Sequence, residues 1–150
     1  MTGPDATGPH VTRSQTSLPI VEFAFPGPLR DRLVAAVLDG SKTSTTSLFA
    51  DYGPDEELPV VGRRGAVVDS DGRRVAVLET TEVRVVPLGE VDLAHCVDEG
   101  EGFTSIAEWR ADHTEFWLSP EYVAERDDPD FTVDDATLVL LERFGVVAHP

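Results

Sequence analysis

Seven valines fall between residues 65 and 87, and this stretch limits the fold more than any other part of the chain. Ala66-Val67-Val68 and Val75-Ala76-Val77-Leu78 flank Asp69-Ser70-Asp71-Gly72. Asp-Gly between two β-branched runs is a strong hairpin signal, because glycine accepts the backbone angles that a tight turn demands. The strand-forming run continues through Thr80, Thr81, Val83, Val85 and Val86 to Pro87. Residues 18–25 read as a short strand or extended lead-in closed by Pro26-Gly27-Pro28. A helix follows, with Pro28 in its first turn, Gly40 at its C-terminal cap, and Leu29, Leu33, Val34, Val37 and Leu38 on one face. A hydroxyl-rich segment (41–47) and an acidic Pro/Gly loop (51–62) lead into the valine-rich region. Beyond it come a short helix or turn at 91–97 and the loop Asp98-Glu99-Gly100-Glu101-Gly102. Ser105 with Glu108 makes a capping box opening a second helix, which sets Ile106, Trp109, His113, Phe116 and Trp117 near one face. After an acidic loop at 125–135, residues 138–141 and 144–147 read as closing strands. Short strands dominate, two main helices accompany them, and no βαβ alternation or internal repeat occurs. The expected class is α+β, a small mixed sheet or barrel.

At 150 residues and 41% hydrophobic, the chain supports one domain with a proper core, placed at 18–150. Residues 1–17, rich in Gly, Pro, Thr and Ser, are expected to form a mobile tail. They lack the basic start and apolar stretch of a signal peptide. No apolar run is long enough to span a bilayer, so no membrane partner is expected. The single cysteine, Cys96, cannot form an internal disulfide and reads as a small buried packing residue. A cytoplasmic location is the expectation. The formal net charge of −16 repels polyanions and gives no counterion-release gain. Duplex DNA is therefore excluded as a partner, while a cleft for a neutral nucleoside or a short RNA stays open.

Lys42 is the only lysine, against eleven arginines. A guanidinium stays protonated in proteins, whereas a desolvated ammonium can lose its proton and act as base or nucleophile. Lys42 lies in Gly40-Ser41-Lys42-Thr43-Ser44-Thr45-Thr46, just past the first helix. His10, His95, His113 and His149 are far apart and show no zinc spacing, and the glycines near Lys42 do not follow P-loop spacing. No metal or cofactor is expected.

Five elements in order then resemble one family: Gly40-x-Lys42-Thr43-x-Thr45, Val61-Gly62, Glu79-Thr80-Thr81-Glu82-Val83, Glu99-Gly100-Glu101-Gly102, and Trp109-Arg110-x-x-His113-x-x-Phe116-Trp117. The series resembles the ASCH domain, in its DUF984 branch, over about residues 23–147. The resemblance implies a PUA-like fold, a small β-barrel of mixed strands with two main helices closing it and a cleft beside the lysine segment. The family was proposed to bind RNA, one member is described as a ribonuclease, and a shorter relative removes the acetyl group of N4-acetylcytidine with a lysine, a threonine and a glutamate. By motif, these fall on Lys42, Thr45 and Glu101, with Glu99 as the neighbouring alternative for the glutamate.

Amide hydrolysis needs a nucleophile or activated water, a proton relay and oxyanion stabilisation. Lys42, Thr45 and Glu101 are the expected working set, and Thr43, Glu79, Glu99, Arg110 and His113 the expected ligand contacts. In a regular strand Lys42 and Thr45 would point to opposite faces, so a turn or bulge after Gly40 must bring them together. Three functions compete: an amidohydrolase acting on an acylated pyrimidine nucleoside, a non-catalytic RNA- or nucleotide-binding module, and a metal-assisted ribonuclease.

Overall fold

The Asp-Gly turn joins two antiparallel strands, as its chemistry dictates. Asp69 Oδ1 accepts from the N–H groups of Asp71 and Arg73, and Gly72 sits at φ 81° with its N–H on Asp69 O. The computed structural model describes residues 18–126, 128 and 130–149. The tail expected at 1–17, with His10, lies outside the described residues. In chain order the elements are β1 (Ile20–Val21), α1 (Pro28–Asp39), β2 (Ser44–Leu48), β3 (Arg64–Val68), β4 (Arg74–Pro87), α2 (Leu93–Asp98), α3 (Ile106–Trp117), α4 (Pro120–Arg126) and β5 (Leu138–Ala148).

The strands form one mixed sheet in the order β1-β3-β4-β5-β2, with β1 parallel to β3 and the other pairs antiparallel. The fold is α+β and PUA-like. The expected barrel is not closed by hydrogen bonds: β1 and β2 are edges and do not pair with one another. The two closing strands are in fact one, because Glu142 and Arg143 interrupt the apolar pattern without interrupting the ladder. Register shifts at Val77/Leu78 and Thr80/Glu82 leave Thr81 opposite no residue of β5. Such bulges bend a strand and sharpen its twist, which curls the long β4–β5 ribbon.

Each sheet face carries its own core. On one, α1 packs Leu33, Val34 and Val37 against Val67, Ala76, Leu78 and Phe144, with Phe23 of the lead-in. On the other, Trp109 and Trp117 of α3, with Cys96, meet Leu48, Leu88, Val139 and Leu141. Losing a fully buried tryptophan such as Trp109 would cost about 3–5 kcal/mol. Both main helices start as the sequence dictates. Pro28 opens α1 and left-handed Gly40 closes it, and the Ser105 side chain accepts from Glu108 N. Cys96 is fully buried and its thiol is pushed up to about 12, chiefly by desolvation, so it is inert packing. Among the described residues no helix is long and apolar enough to cross a membrane.

Candidate functional site

Gly40 turns the chain out of α1 at φ 87°, and the next residues wrap back onto that helix. Ser41 Oγ and Lys42 N both donate to Ala36 O. The segment is held from its other side by the 98–102 loop, where Thr43 N donates to Asp98 O. Gly100 makes this approach possible. It adopts φ 73°, and a Cβ there would lie 2.6 Å from Ser41 O and 2.8 Å from Lys42 Cα. Only a residue without a side chain lets the Glu99–Glu101 loop lie directly against Lys42.

The result is a buried amine. Lys42 is 3% exposed; its Nζ donates to Ser44 O at 2.9 Å and Glu99 O at 3.3 Å, and lies 5.4 Å from the Phe23 ring centroid. Burial lowers its pKa, opposed by the charges of Glu99 and then Glu101. Two carbonyl acceptors match the two N–H bonds of a neutral amine, which leaves the lone pair free. An ammonium has a third N–H to place.

Glu99 is 1% exposed and fully engaged. Its Oε2 accepts from Thr46 Oγ1 at 2.6 Å and lies 3.3 Å from His95 Nε2, while Oε1 lies 2.9 Å from His113 Nε2. Burial alone would raise its pKa; hydrogen bonds from His113 and His95, then the charges of His113 and Lys42, outweigh it and hold the carboxyl far below its usual range. His113 stacks on Trp109 at 4.4 Å between ring centroids, and its Nδ1 faces Trp109 O at 2.9 Å. Both ring nitrogens therefore face acceptors, which is the pattern of an imidazolium. Burial works against that charge, but the Glu99 hydrogen bond and charge prevail and its pKa is raised. His95 Nε2 meets Thr46 Oγ1 at 2.8 Å, while its buried Nδ1 has no partner among the described residues, the pattern of a ring that donates through Nε2.

Glu101 differs from Glu99. Its side chain is 10% exposed, and among the described residues its only ion pair is a 4.0 Å approach to Arg32. Desolvation raises its pKa, with Lys42 the main opposing influence. The pKa of the amine is lowered and that of the Glu101 carboxyl raised, so the two are shifted toward one another.

These groups share a cleft of about 790 Å³, bounded by residues 21–25, α1, the free edge of β2, the 99–101 loop, α3 and α4. Lys42, Thr45, Thr46, Glu99, Glu101, His113 and Glu142 all line it. Thr45 enters from the face of β2 opposite Ser44 and Thr46, while Lys42 precedes the strand and escapes its alternation. Both reach one cleft because it wraps the strand edge; the amine bonds to Ser44 O and Glu99 O, with no direct hydrogen bond to the Thr45 hydroxyl. Phe144 N donates to Thr43 O, so ladder alternation turns the main-chain groups of Thr45 toward β5 and those of Thr46 outward to the free edge. Phe25, Phe116 and Tyr122 form an aromatic wall with ring centroids 5.2–6.4 Å apart, whereas Trp109 and Trp117 belong to the core.

Three expected contacts lie elsewhere. Thr43, Glu79 and Arg110 line neither this cleft nor the cavity beside it. Thr43 is engaged through its main chain. Glu79 pairs with Arg64 at 2.9 Å on the surface, and Arg110 pairs with Asp135. Sequence reasoning missed Thr46, His95 and Glu142. His95 and Glu99 stand four apart, which puts two side chains on one helical face, and that spacing was available as a signal. Glu99, Glu101 and His113 bring one potential ligand atom each within 4.8 Å of one another. A cation there would have to displace the proton that joins His113 to Glu99.

Residues 22–148 match the family described as the ASCH domain. No curated protein matches the chain. Among solved structures, an ASCH domain from Lactobacillus crispatus JV V101 is 28% identical with a TM-score of 0.75, covering 95% of this chain and 87% of that one. A DUF984-family protein from Enterococcus faecalis V583 is 24% identical with a TM-score of 0.74, over 86% and 76% of the two chains, a likeness of fold alone.

Proposed function

The chain belongs to the ASCH domain family and has its PUA-like fold, and from that premise we propose that the cleft hydrolyses the exocyclic amide of an acylated pyrimidine nucleoside in the cytoplasm. One observation carries the reading: the only lysine is buried at the cleft with its pKa lowered, held by two carbonyls and flanked by a carboxyl whose pKa is raised.

In this mechanism Thr45 holds the attacking water and the Lys42 lone pair takes its proton as the new C–O bond forms. The outward N–H of Thr46 is available to the developing oxyanion. Collapse breaks the C–N bond, and the Glu101 carboxyl gives its proton to the leaving nitrogen. Water and amide become carboxylic acid and amine, and the Lys42 ammonium returns the proton to Glu101. Glu99 does no chemistry; bonded to His113, His95 and Thr46, it fixes the loop that carries Glu101. The lining favours a neutral substrate. Glu22, Glu99, Glu101, Asp112, Glu115 and Glu142 outnumber Arg32, Lys42 and His113, which disfavours a long phosphate chain in this cleft.

The test is release of cytidine from N4-acetylcytidine by wild type, Lys42→Arg and Thr45→Ala. Lys42→Arg keeps the charge but removes the base, and turnover is expected to fall at least about a hundredfold. Thr45→Ala is expected to lower kcat with a smaller change in KM. Absence of turnover by folded wild type, or full activity of Lys42→Arg, overturns the reading.

A further inference from the structure

The cleft does not end at Thr45. A second cavity of about 510 Å³ adjoins it, and the two share Val21, Phe23, Thr45, Tyr52 and Glu142 as common wall. Glu142 and Arg143 interrupt the apolar pattern of β5, and Glu142 pairs across the ladder with Thr45. Its side chain therefore leaves the same sheet face as the Thr45 hydroxyl. Thr80 Oγ1 donates to Glu142 Oε2 at 2.6 Å, and among the described residues Oε1 has no partner. Tyr52 OH, 3.3 Å from Ser47 Oγ, stands on the same wall. Arg63 lines the outer cavity and makes no ion pair within 4.0 Å among the described residues, whereas its neighbour Arg64 is neutralised by Glu79.

We propose that the outer cavity is a sugar subsite in which the free oxygen of Glu142 accepts hydrogen bonds from the vicinal hydroxyls of a ribose. The inference rests on the amide reading above for its orientation. In an N-acylated aminopyrimidine the amide and the glycosidic bond lie at opposite sides of the ring. A site that holds the amide at Lys42 must therefore hold the sugar in adjoining space. Of the adjoining surfaces, the aromatic wall of Phe25, Phe116 and Tyr122 offers little to a polyol. The outer cavity offers a carboxylate, a phenol, two threonine hydroxyls and an unpaired guanidinium. A polyol donates to a carboxylate without the cost of a counter-charge; burial raises the Glu142 pKa, while the Thr80 hydrogen bond and the Arg63 charge oppose that shift and favour the ionised acceptor. A 5′-phosphate is excluded by charge, since Glu56, Glu57 and Glu142 face Arg63 alone once Arg64 is paired. Glu142 and the outer cavity then set the preference for the ribonucleoside over the free base and the 5′-nucleotide.

Calorimetric binding of cytidine, 2′,3′-dideoxycytidine, cytosine and cytidine 5′-monophosphate to wild type and Glu142→Gln tests this, alongside turnover of N4-acetylcytidine and N4-acetylcytosine. Cytidine is expected to bind wild type about tenfold tighter than its dideoxy analogue, and Glu142→Gln to erase most of that difference. The dideoxy comparison uses wild type alone, so it holds even if the variant folds poorly. Equal binding of cytidine and dideoxycytidine, or tighter binding of the monophosphate, overturns the subsite. Sugar-dependent binding without turnover supports the subsite and sinks the amide reading. Turnover that ignores the sugar does the reverse, and absence of both binding and turnover overturns the two together.

Discussion

Replacing Glu99 by glutamine changes one oxygen to nitrogen inside the most buried polar network of the protein. The amide oxygen can still accept from His113, and the Thr46 hydroxyl can turn from donor to acceptor toward the new NH₂. The His95 approach at 3.3 Å is lost, because two N–H groups would face one another. The charge that pairs with His113 at 2.9 Å and opposes deprotonation of Lys42 goes as well. Breaking one partner of a buried pair costs about 3–5 kcal/mol; with two of three contacts replaceable, about 3 kcal/mol is expected, or roughly 6–12 °C in Tm for a chain of this size. The pH dependence is diagnostic. The Glu99 pKa is depressed on folding, so its contribution is fully present above the unfolded value of about 4.3 and fades as pH falls toward the folded one. The His113 pKa is raised, so its contribution is present below the unfolded value of about 6.5 and fades as pH rises through the folded one. Both shifts describe one ion pair and are counted once. Urea unfolding of wild type and Glu99→Gln should differ most between about pH 4.5 and 6.5 and converge on either side. A variant as stable as wild type, or a gap that widens below pH 4, refutes the buried ion pair.

Two further substitutions probe how the site is positioned. Gly100→Ala brings a Cβ within 2.8 Å of Lys42 Cα at a φ that disfavours side chains; a loss of about 1–3 kcal/mol in thermal unfolding is expected, with activity falling further than stability. Unchanged activity would separate the loop from the chemistry. Arg30→Met removes a buried guanidinium that donates to Phe23 O, Ala24 O and Asp69 O and pairs with Glu22. Leaving those carbonyls unpaired should cost about 3 kcal/mol in urea unfolding and weaken ligand binding, because residues 21–25 wall the cleft. A neutral effect would show that Ala24, at φ 61°, holds its strained backbone without help.

Much of the fold was legible because local chemistry and the global arrangement agree. Asp69–Gly72, Pro28, Gly40 and the Ser105 cap each do what their residue types favour. The elements that escaped are those whose signal is long-range. β2 is written Ser-Thr-Thr-Ser-Leu and shows no apolar alternation, since the hydroxyls of Ser44, Thr46 and Ser47 meet His95, Glu99 and Tyr52 rather than a core. α4 opens at Pro120 and runs into the segment read as an acidic loop from 125; at seven residues it is too short to show an apolar face, and Tyr122 and Arg126 tie it to Asp51. In the site, Lys42 announces itself by being unique, and Gly100 by standing between two glutamates. Glu142 cannot be found that way, because its meaning comes from facing Thr45 across a ladder nearly a hundred residues long in sequence. The same limit explains Glu79 and Arg110, whose partners Arg64 and Asp135 are set by register and by tertiary approach.

The central claim is that Lys42 is a buried amine whose proton is easily lost, and the sequence makes this directly measurable. With one lysine in the chain, protein labelled with ¹³C,¹⁵N-lysine gives a single side-chain signal, free of assignment. Its titration should have a midpoint below the ordinary lysine value of about 10.4, and Glu101→Gln should lower it further by removing a charge that favours the ammonium. A midpoint at or above the ordinary value, unmoved by Glu101→Gln, would contradict the account.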